Sequence, residues 1–441
     1  MTIETQSMIR ARVRTTELGA HVGERVRLEG WLHAVRRLGG VSFIVVRDGW
    51  GIAQTVAGEA ALTALGDAGV ESVVAVEGVA VAEAQAPGGV ELHEPTVEVL
   101  VPVTEPPPLA LNKRELKATL ATQLDNGVLA ARHPKQRSMF RMSAGVMRAY
   151  REILTAEGFT EVQTPKLVAS ATESGANVFK LDYFGRPAYL AQSPQLYKQV
   201  LTGVFERVFE VAPVFRAEPH DTTRHLSEYV SLDMEMAFIQ DHCTVMALLT
   251  KVIRGILAAL AERHAEDLAR WEVIMPSAPA EFPSIYFPDA QQLIYERYGV
   301  DVRGEPDLSP QDERWLGEWA RKTYGSDFLF VTGYPMSKRP FYTHPNPADE
   351  RFSNSFDLLF RGTELVTGGQ RLHRYADYVA ALERARLSLD PFEWYLEAFK
   401  YGMAPHGGFA IGLERLLMQL TGVSNLRLAT LFPRDLNRLT P

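Results

Sequence analysis

The sequence predicts an α+β protein in two parts, a small β-barrel followed by a larger domain of mixed strands and helices. Three observations carry this. Residues 25–101 hold five strand-like runs, alternating in period two or rich in β-branched residues, with room for one short helix. Pro102 to Pro108 then puts four prolines into seven residues, which neither a central strand nor a helix interior tolerates. Beyond residue 132, long helical periodicities mix with strands without a regular βαβ alternation.

In order, Arg25 to Leu32 alternates apolar and polar residues, Val41 to Arg47 is β-branched and aromatic, and Gly51 to Val56 follows an Asp48-Gly49 turn signal. The Ala/Leu-rich stretch from Gly58 to Gly69 suits a short helix. Glu71 to Val81 and Val90 to Val101 complete five strands, the make-up of an OB-fold barrel. We place this domain at residues 1–104 and a linker at 105–132, with the larger domain at 133–441. There, Met139, Met142, Val146, Tyr150, Ile153 and Leu154 recur at helical spacing over Ser138 to Glu157, and Gly158 ends the run. A strand from Phe159 to Pro165 follows. Further strands are expected at Val208 to Phe215, Val230 to Phe238, Phe328 to Gly333, Ser355 to Phe360 and Glu364 to Gly368. Helices are expected at Thr244 to Arg270, Asp289 to Tyr298, Pro310 to Tyr324, Tyr375 to Leu387, Phe392 to Tyr401 and Leu413 to Thr421.

Composition narrows the function. Of 441 residues, 46% are hydrophobic and 23% charged, enough apolar material for a core and too much for bulk disorder. The one cysteine, Cys243, cannot form an intrachain disulfide, and the first residues carry no apolar segment behind their charges, so a cytoplasmic location is expected. A net charge of -8 argues against indiscriminate nucleic-acid binding but allows a local basic footprint. No Walker or Rossmann glycine pattern appears, so nucleotide chemistry must rest on other groups.

Three charged elements could supply them. Phe215-Arg216-Ala217-Glu218 puts an arginine at a strand end, where its planar fork could clamp a phosphate, with His225, Glu228, Asp233 and Glu235 on or near the returning strand. Gly407 to Arg415 reads as a glycine-rich turn that would let backbone approach a ligand, followed by an arginine at a helix start. Glu364 to Arg371 brings Glu364 and Thr367 near each other and adds Arg371, and oxygen ligands of this kind suit a hard cation such as Mg²⁺. Each alone also reads blandly, as a surface ion-pair ladder, a common turn or a capped strand end.

In this order, behind a long helix, a strand and Pro165, the three elements resemble the class II aminoacyl-tRNA synthetases. Gln192 to Gln199, Phe215 to His220, His225 to Glu228, Gly407 to Arg415 and Leu431 to Arg438 are similar to the shorter, archaeal-type aspartyl-tRNA synthetases. The resemblance spans essentially the whole chain. It implies an OB-fold that binds the anticodon and a class II synthetase catalytic domain built on an antiparallel sheet flanked by helices. It also implies ATP as substrate, Mg²⁺ as cofactor, aspartate and tRNA as substrates, and a homodimer built on the helix from Ser138.

Residue by residue, the resemblance places Arg216 on the α-phosphate of ATP, with Ala217, Glu218, Arg224, His225 and Leu226 around the nucleotide. Gly412, Leu413, Glu414 and Arg415 complete that site, Arg415 toward the γ-phosphate. Glu364 and Thr367 match Mg²⁺ positions, where most relatives carry serine in place of Thr367, and Asp357 is a further acidic candidate. Glu173, Gln195, Lys198, Asp233 and Arg371 match the aspartate pocket, to which Arg216 and Thr367 are also expected to contribute. Arg216, Glu364 and Arg415 are the groups expected to serve the chemistry.

Two rivals remain open at this stage. One is a catalytically inactive synthetase-like RNA-binding paralogue, although such chains tend to lose the charged groups that are all present here. The other is asparaginyl-tRNA synthetase, against which Lys198 argues, because an amide substrate needs an acceptor where a carboxylate needs a cation. In the barrel, Phe43 and Gln54 match positions that stack on and read anticodon bases, and Arg27, Arg36 and Arg37 are candidate phosphate contacts. His33 and Pro87 stand where relatives restricted to aspartate tRNA tend to carry tryptophan and lysine. Both departures imply a relaxed enzyme that aspartylates tRNA(Asp) and tRNA(Asn). A tRNA-dependent amidotransferase would then be its downstream partner.

Overall fold

The barrel strands form Arg25–Leu38 (β1), Val41–Arg47 (β2), Ile52–Ala57 (β3), Val73–Ala82 (β4) and Val90–Val101 (β5), with the short helix Glu59–Leu65 (α1) between β3 and β4. They close in the order β1-β2-β3-β5-β4, and β4 returns to β1. The computed structural model describes residues 11–169 and 178–441, and the chain divides into two units, Met1–Pro134 and Lys135–Pro441. Inside the barrel, alternate residues make the core, among them Val26, Leu28, Leu32, Ile44, Val46, Val74, Val76 and Leu92. β1 runs six residues beyond the expected end at Leu32. A bulge between Leu32 and Ala34 shifts its register, and Arg36 and Leu38 pair with Phe43 and Val41 around the Gly39-Gly40 turn.

The proline-rich stretch breaks β5 as expected. The rest of the linker is more structured than a bare tether, since it holds the short helices Leu120–Asp125 and Gly127–Ala130 and a small apolar cluster of Leu109, Leu111 and Ala130.

In the second unit, Pro134–Ala156 (α2) starts a turn earlier than periodicity suggested, with proline at a first-turn position where its missing N–H costs nothing. Met139, Met142, Val146, Tyr150 and Leu154 are its buried stripe. The sheet strands are Thr160–Glu161 (β6), Arg207–Phe215 (β7), Glu228–Ala237 (β8), Ser284–Tyr286 (β9), Phe328–Thr332 (β10), Ser355–Phe360 (β11), Glu364–Gln370 (β12) and His406–Gly412 (β13). Their order is β9-β10-β11-β12-β13-β8-β7-β6. From β10 through β7 every neighbour is antiparallel, and the edge pairs β9/β10 and β6/β7 are parallel.

One face of this sheet is dry. Leu232, Met234, Met236, Phe409 and Ile411 point into a core shared with α2 and with His242–Arg263 (α4). Among the described residues, α4 is the one helix long and apolar enough to cross a membrane, but Val245, Leu249, Val252, Ile256 and Leu260 bury its apolar stripe in that core. The expected helix to Arg270 is interrupted at His264, which leaves helical geometry and bonds Asp267. The other helices used below are Gln195–Phe205 (α3), Pro310–Tyr324 (α5), Tyr375–Arg384 (α6), Glu393–Lys400 (α7) and Leu413–Thr421 (α8).

The Gly407-Gly408 segment corrects an expectation. It is no turn but the central strand β13, which runs straight into α8. A Cβ on Gly408 would collide with the Met234 carbonyl and the Glu235 carboxylate, so glycine here serves close strand-to-side-chain contact. Read one-dimensionally, that use of glycine is indistinguishable from a turn signal.

Candidate active site

Strand alternation puts the charged residues on the sheet face opposite the core. Ser231, Asp233 and Glu235 of β8 oppose Gly412, Ala410 and Gly408 of β13, and Ala410 opposes Thr367 of β12, which in turn opposes Asp357 of β11. Four strands thus present one continuous polar surface, capped at one end by the loop between β7 and β8 and by the start of α8.

That end holds a cleft of ≈ 290 Å³ lined by Arg216, Glu218, Arg224, His225, Glu364, Thr367, Gly412, Glu414 and Arg415, together with Leu226 and Ser231. Three arginines and a helix start converge on it, a charge pattern suited to a polyphosphate. Burial, together with the Arg415 and Arg216 charges, holds the His225 imidazole below its ordinary value against the pull of Glu218. The Thr222 hydroxyl lies 2.6 Å from His225 Nδ1.

Burial pushes the Glu414 carboxyl up to about 7, although the Val230 N–H donates to both its oxygens at 3.1 and 3.2 Å. Between about pH 4.5 and 7 the folded protein therefore keeps a proton that the unfolded chain has released, and stability falls as pH rises through that window. Glu414→Gln keeps an acceptor for Val230 and removes the titration. Its melting temperature relative to the parent should climb between about pH 5 and pH 8, and a pH-independent difference would contradict this assignment.

Beside the arginines lies a concentration of acid. Arg415 Nη1 donates to Glu364 Oε1 at 3.3 Å, and the Thr367 hydroxyl lies 3.5 Å from the same oxygen. Glu313, on α5, accepts the Glu364 N–H at 3.2 Å. Burial and the neighbouring Glu364 and Asp357 push the Glu313 carboxyl up to about 7. Burial raises Asp357 too, with Glu364 adding to it and Arg339, donating at 3.0 Å, opposing. Carboxylates crowded together in this way, next to a hydroxyl, fit a hard divalent cation. Glu313 was missed in the sequence because its helix reads as an ordinary amphipathic one, and only the fold carries it to Glu364.

Deeper along the same strands is a buried cation pair. Lys198 Nζ, on α3, donates to Asp233 Oδ1 at 2.9 Å and to the Phe409 carbonyl at 3.2 Å, and lies 3.5 Å from Glu235 Oε2. Arg371 Nε donates to Glu235 Oε1 at 2.9 Å, and its Nη2 donates to the Gly408 carbonyl at 3.1 Å. Burial alone would raise Glu235, but Arg371 and Lys198 outweigh it and hold the carboxyl below its ordinary value. Glu235, a bridge between both cations, was read in the sequence as a strand residue and a ladder partner for Arg216; it pairs with Lys198 and Arg371 instead. Gln195 is buried at the start of α3, and its Nε2 has no hydrogen-bond partner among the described residues, as a group awaiting a ligand would.

Other expected residues fall differently. Leu413 is buried in the sheet core and does not line the cleft; its neighbours Gly412, Glu414 and Arg415 do. Ala217 is likewise absent from the lining. Glu173 lies outside the described residues. In the barrel, Arg36, Phe43 and Val56 share one outer row, and Val45 and Gln54 the next. Phe43 is half-buried and outside the barrel core, so its ring is placed where a base could reach it. Gln54 Nε2 donates to Glu91 Oε2 at 2.7 Å. The Arg27 guanidinium meets Glu29, Glu77 and Glu98 at 2.8, 3.1 and 3.3 Å, so in this structure it is engaged by carboxylates. His33, the bulged residue, is buried beside the Arg47–Glu71 pair, and burial with the Arg47 charge lowers it to about 4. It cannot stack on a base directly. Pro87 opens the turn Pro87–Gly89 and stays partly exposed.

Residues 119–436 match the family described as tRNA synthetases class II (D, K and N). The chain belongs to that class II synthetase family. Residues 26–100 match the OB-fold nucleic acid binding domain. This synthetase is 46% identical over 435 residues to an aspartate--tRNA(Asp/Asn) ligase of Deinococcus radiodurans, covering 98% of this chain and 99% of the relative. It is 45% identical over 430 residues to the protein of the same name from Thermus thermophilus, covering 98% and 100%. The asparaginyl-tRNA synthetase of Pyrococcus horikoshii, solved with asparaginyl-adenylate, superposes with a TM-score of 0.90 at 32% identity, over 98% of this chain and all of that one.

Proposed function

We propose that this chain ligates L-aspartate to tRNA through an aspartyl-adenylate, charging both tRNA(Asp) and tRNA(Asn). The observation that carries the reading is the Lys198–Glu235–Arg371 cluster, two buried cations where a side-chain carboxylate would be held. An amide would bring the ammonium without the side-chain carboxylate and leave the otherwise balanced cluster with one excess positive charge. The two ligases named above for aspartate and both tRNAs support it further.

The substrate α-carboxylate attacks the α-phosphorus in line; an oxygen–phosphorus bond forms as the bond to pyrophosphate breaks. Arg216 neutralises charge at the α-phosphate and Arg415 at the γ-phosphate, with Glu218, Arg224 and His225 around the nucleotide. Asp233, with Glu173, takes the substrate ammonium, and Gln195, Lys198 and Arg371 take its carboxylates. Glu364, Thr367 and Asp357 would hold Mg²⁺, which when bound neutralises phosphate charge. A ribose hydroxyl of the tRNA end then attacks the aspartyl carbonyl and AMP leaves. No side-chain nucleophile is needed, so catalysis is positioning and charge neutralisation.

In this reading residues 1–104 bind the anticodon, 105–132 link, and 133–441 catalyse in the cytoplasm as a homodimer. Phe43 stacks on an anticodon base and Gln54 reads an edge. His33 acts from beneath: tryptophan would not fit its buried bulge and would be forced toward the base-reading face. Side-by-side charging should aspartylate purified tRNA(Asp) and tRNA(Asn) at comparable rates, and strong preference for tRNA(Asp) would refute the relaxed reading. His33→Trp with Pro87→Lys should shift the parent toward tRNA(Asp). The tRNA(Asn) product is misacylated, so a tRNA-dependent amidotransferase must act after this enzyme.

A further inference from the structure

Behind the cation pair lies a closed polar network that the chemistry above does not use. Gln199, Tyr378, Tyr395 and His406 are all fully buried. His406 Nδ1 lies 2.9 Å from the Ala404 carbonyl, an acceptor only, so this nitrogen carries the proton. Burial lowers the imidazole to about 4, which leaves Nε2 a bare acceptor at neutral pH. Gln199 Nε2, 3.1 Å away, must therefore donate to it, and this fixes which way the amide faces. The same Nε2 donates to the Tyr378 hydroxyl at 3.2 Å, and Tyr378 donates to the Leu372 carbonyl at 2.8 Å. The Tyr395 hydroxyl lies 3.1 Å from Gln199 Oε1 and 2.8 Å from Tyr378 Oη.

The ends of this network are informative. Gln199 follows Lys198 on α3, and Leu372 follows Arg371. The His406 carbonyl accepts the Arg371 N–H at 2.9 Å. Two routes thus tie the backbone beside one cation to the backbone beside the other: Gln199 to Tyr378 to Leu372, and Gln199 to His406 to Arg371. Four polar side chains in an apolar pocket of Tyr342, Leu382, Leu396 and Phe399 are costly unless all are satisfied, and satisfied they admit one arrangement.

We propose that the Gln199–Tyr378–His406 network is the positioning element of the carboxylate pocket, setting the spacing of Lys198 and Arg371 and so the enzyme's affinity for aspartate. This rests on the reading of the cation pair as the substrate-carboxylate site. None of the three touches substrate. Tyr395 braces the network without lying on either route, which makes it an internal control: Tyr378→Phe and Tyr395→Phe each delete one buried hydroxyl, but only the first cuts a route.

The test is aspartate-dependent ATP–pyrophosphate exchange on the full-length protein, with KM for aspartate and for ATP measured separately and melting temperatures recorded. Tyr378→Phe should raise KM for aspartate at least about tenfold, and Gln199→Met, which cuts both routes, about thirtyfold or more. KM for ATP should stay within about threefold in every variant, and Tyr395→Phe should stay within about threefold for both substrates. Equal effects of the two tyrosine variants, or ATP and aspartate constants moving together, would assign the network to general stability and overturn the proposal. Parent protein whose exchange ignores aspartate would sink the functional reading itself, and the network proposal with it.

Discussion

Arg216→Ala is expected to slow aspartate-dependent ATP–pyrophosphate exchange by about 10²–10³-fold, chiefly in kcat. Arg216 stands just past the end of β7, where its backbone N–H donates to the Ser227 carbonyl at 2.9 Å, so the side chain projects from a rigid base into the cleft. The charge it meets grows as the α-phosphorus becomes five-coordinate, and a preorganised guanidinium is worth more there than in the ground state. Arg216→Lys keeps the charge but loses the fork and should recover only part of the rate. Exchange without added Mg²⁺ should be negligible for the parent and both variants. A loss below tenfold in Arg216→Ala, with the melting temperature lowered, would make the arginine's role structural.

Much of this fold was legible because periodicity and punctuation agreed. The barrel strands, the dry face of β8 and the stripe of α2 each carry a single pattern, and proline marks the break after β5. What stayed hidden was hidden for physical reasons. Gly407-Gly408 looked like a turn because glycine at a crowded strand crossing and glycine at a bend leave the same trace in one dimension. The burial of His33 was not legible, because a bulge turns one residue inward without any local signature. Arg27 looked like a phosphate contact, but Glu77 on β4 and Glu98 on β5, fifty and more residues away, reach its guanidinium. The cleft of Arg216, Arg224, Glu364 and Arg415 draws on contiguous motifs, and these four were named from the sequence, as were Ala217 and Leu413, which do not line it. Glu235, Glu313 and the Gln199 network act through contacts between distant segments, and no spacing rule could have found them.

Lys198→Met should raise KM for aspartate by about 10²–10³-fold and leave KM for ATP little changed. In the free protein Lys198 and Arg371 balance Asp233 and Glu235, two positive charges against two negative, in a region closed to water. Aspartate brings a side-chain carboxylate for the cations and an ammonium for Asp233, so the bound cluster stays neutral. Without Lys198 the pocket carries a net negative charge before substrate arrives, and a carboxylate would enter against it. The cost to folding is smaller than removing Arg371 would impose, because Glu235 keeps its two guanidinium contacts at 2.9 and 3.4 Å. Truncating one partner of a fully buried pair typically costs about 3–5 kcal/mol, so Arg371→Leu is expected to lower the melting temperature as well as activity. The discriminating measurement is asparagine. Its neutral amide escapes the penalty that the Lys198→Met pocket places on a carboxylate, so the ratio of aspartate to asparagine exchange should fall by at least tenfold relative to the parent. If both amino acids lose equally, Lys198 holds the pocket's shape rather than reading the substrate's charge.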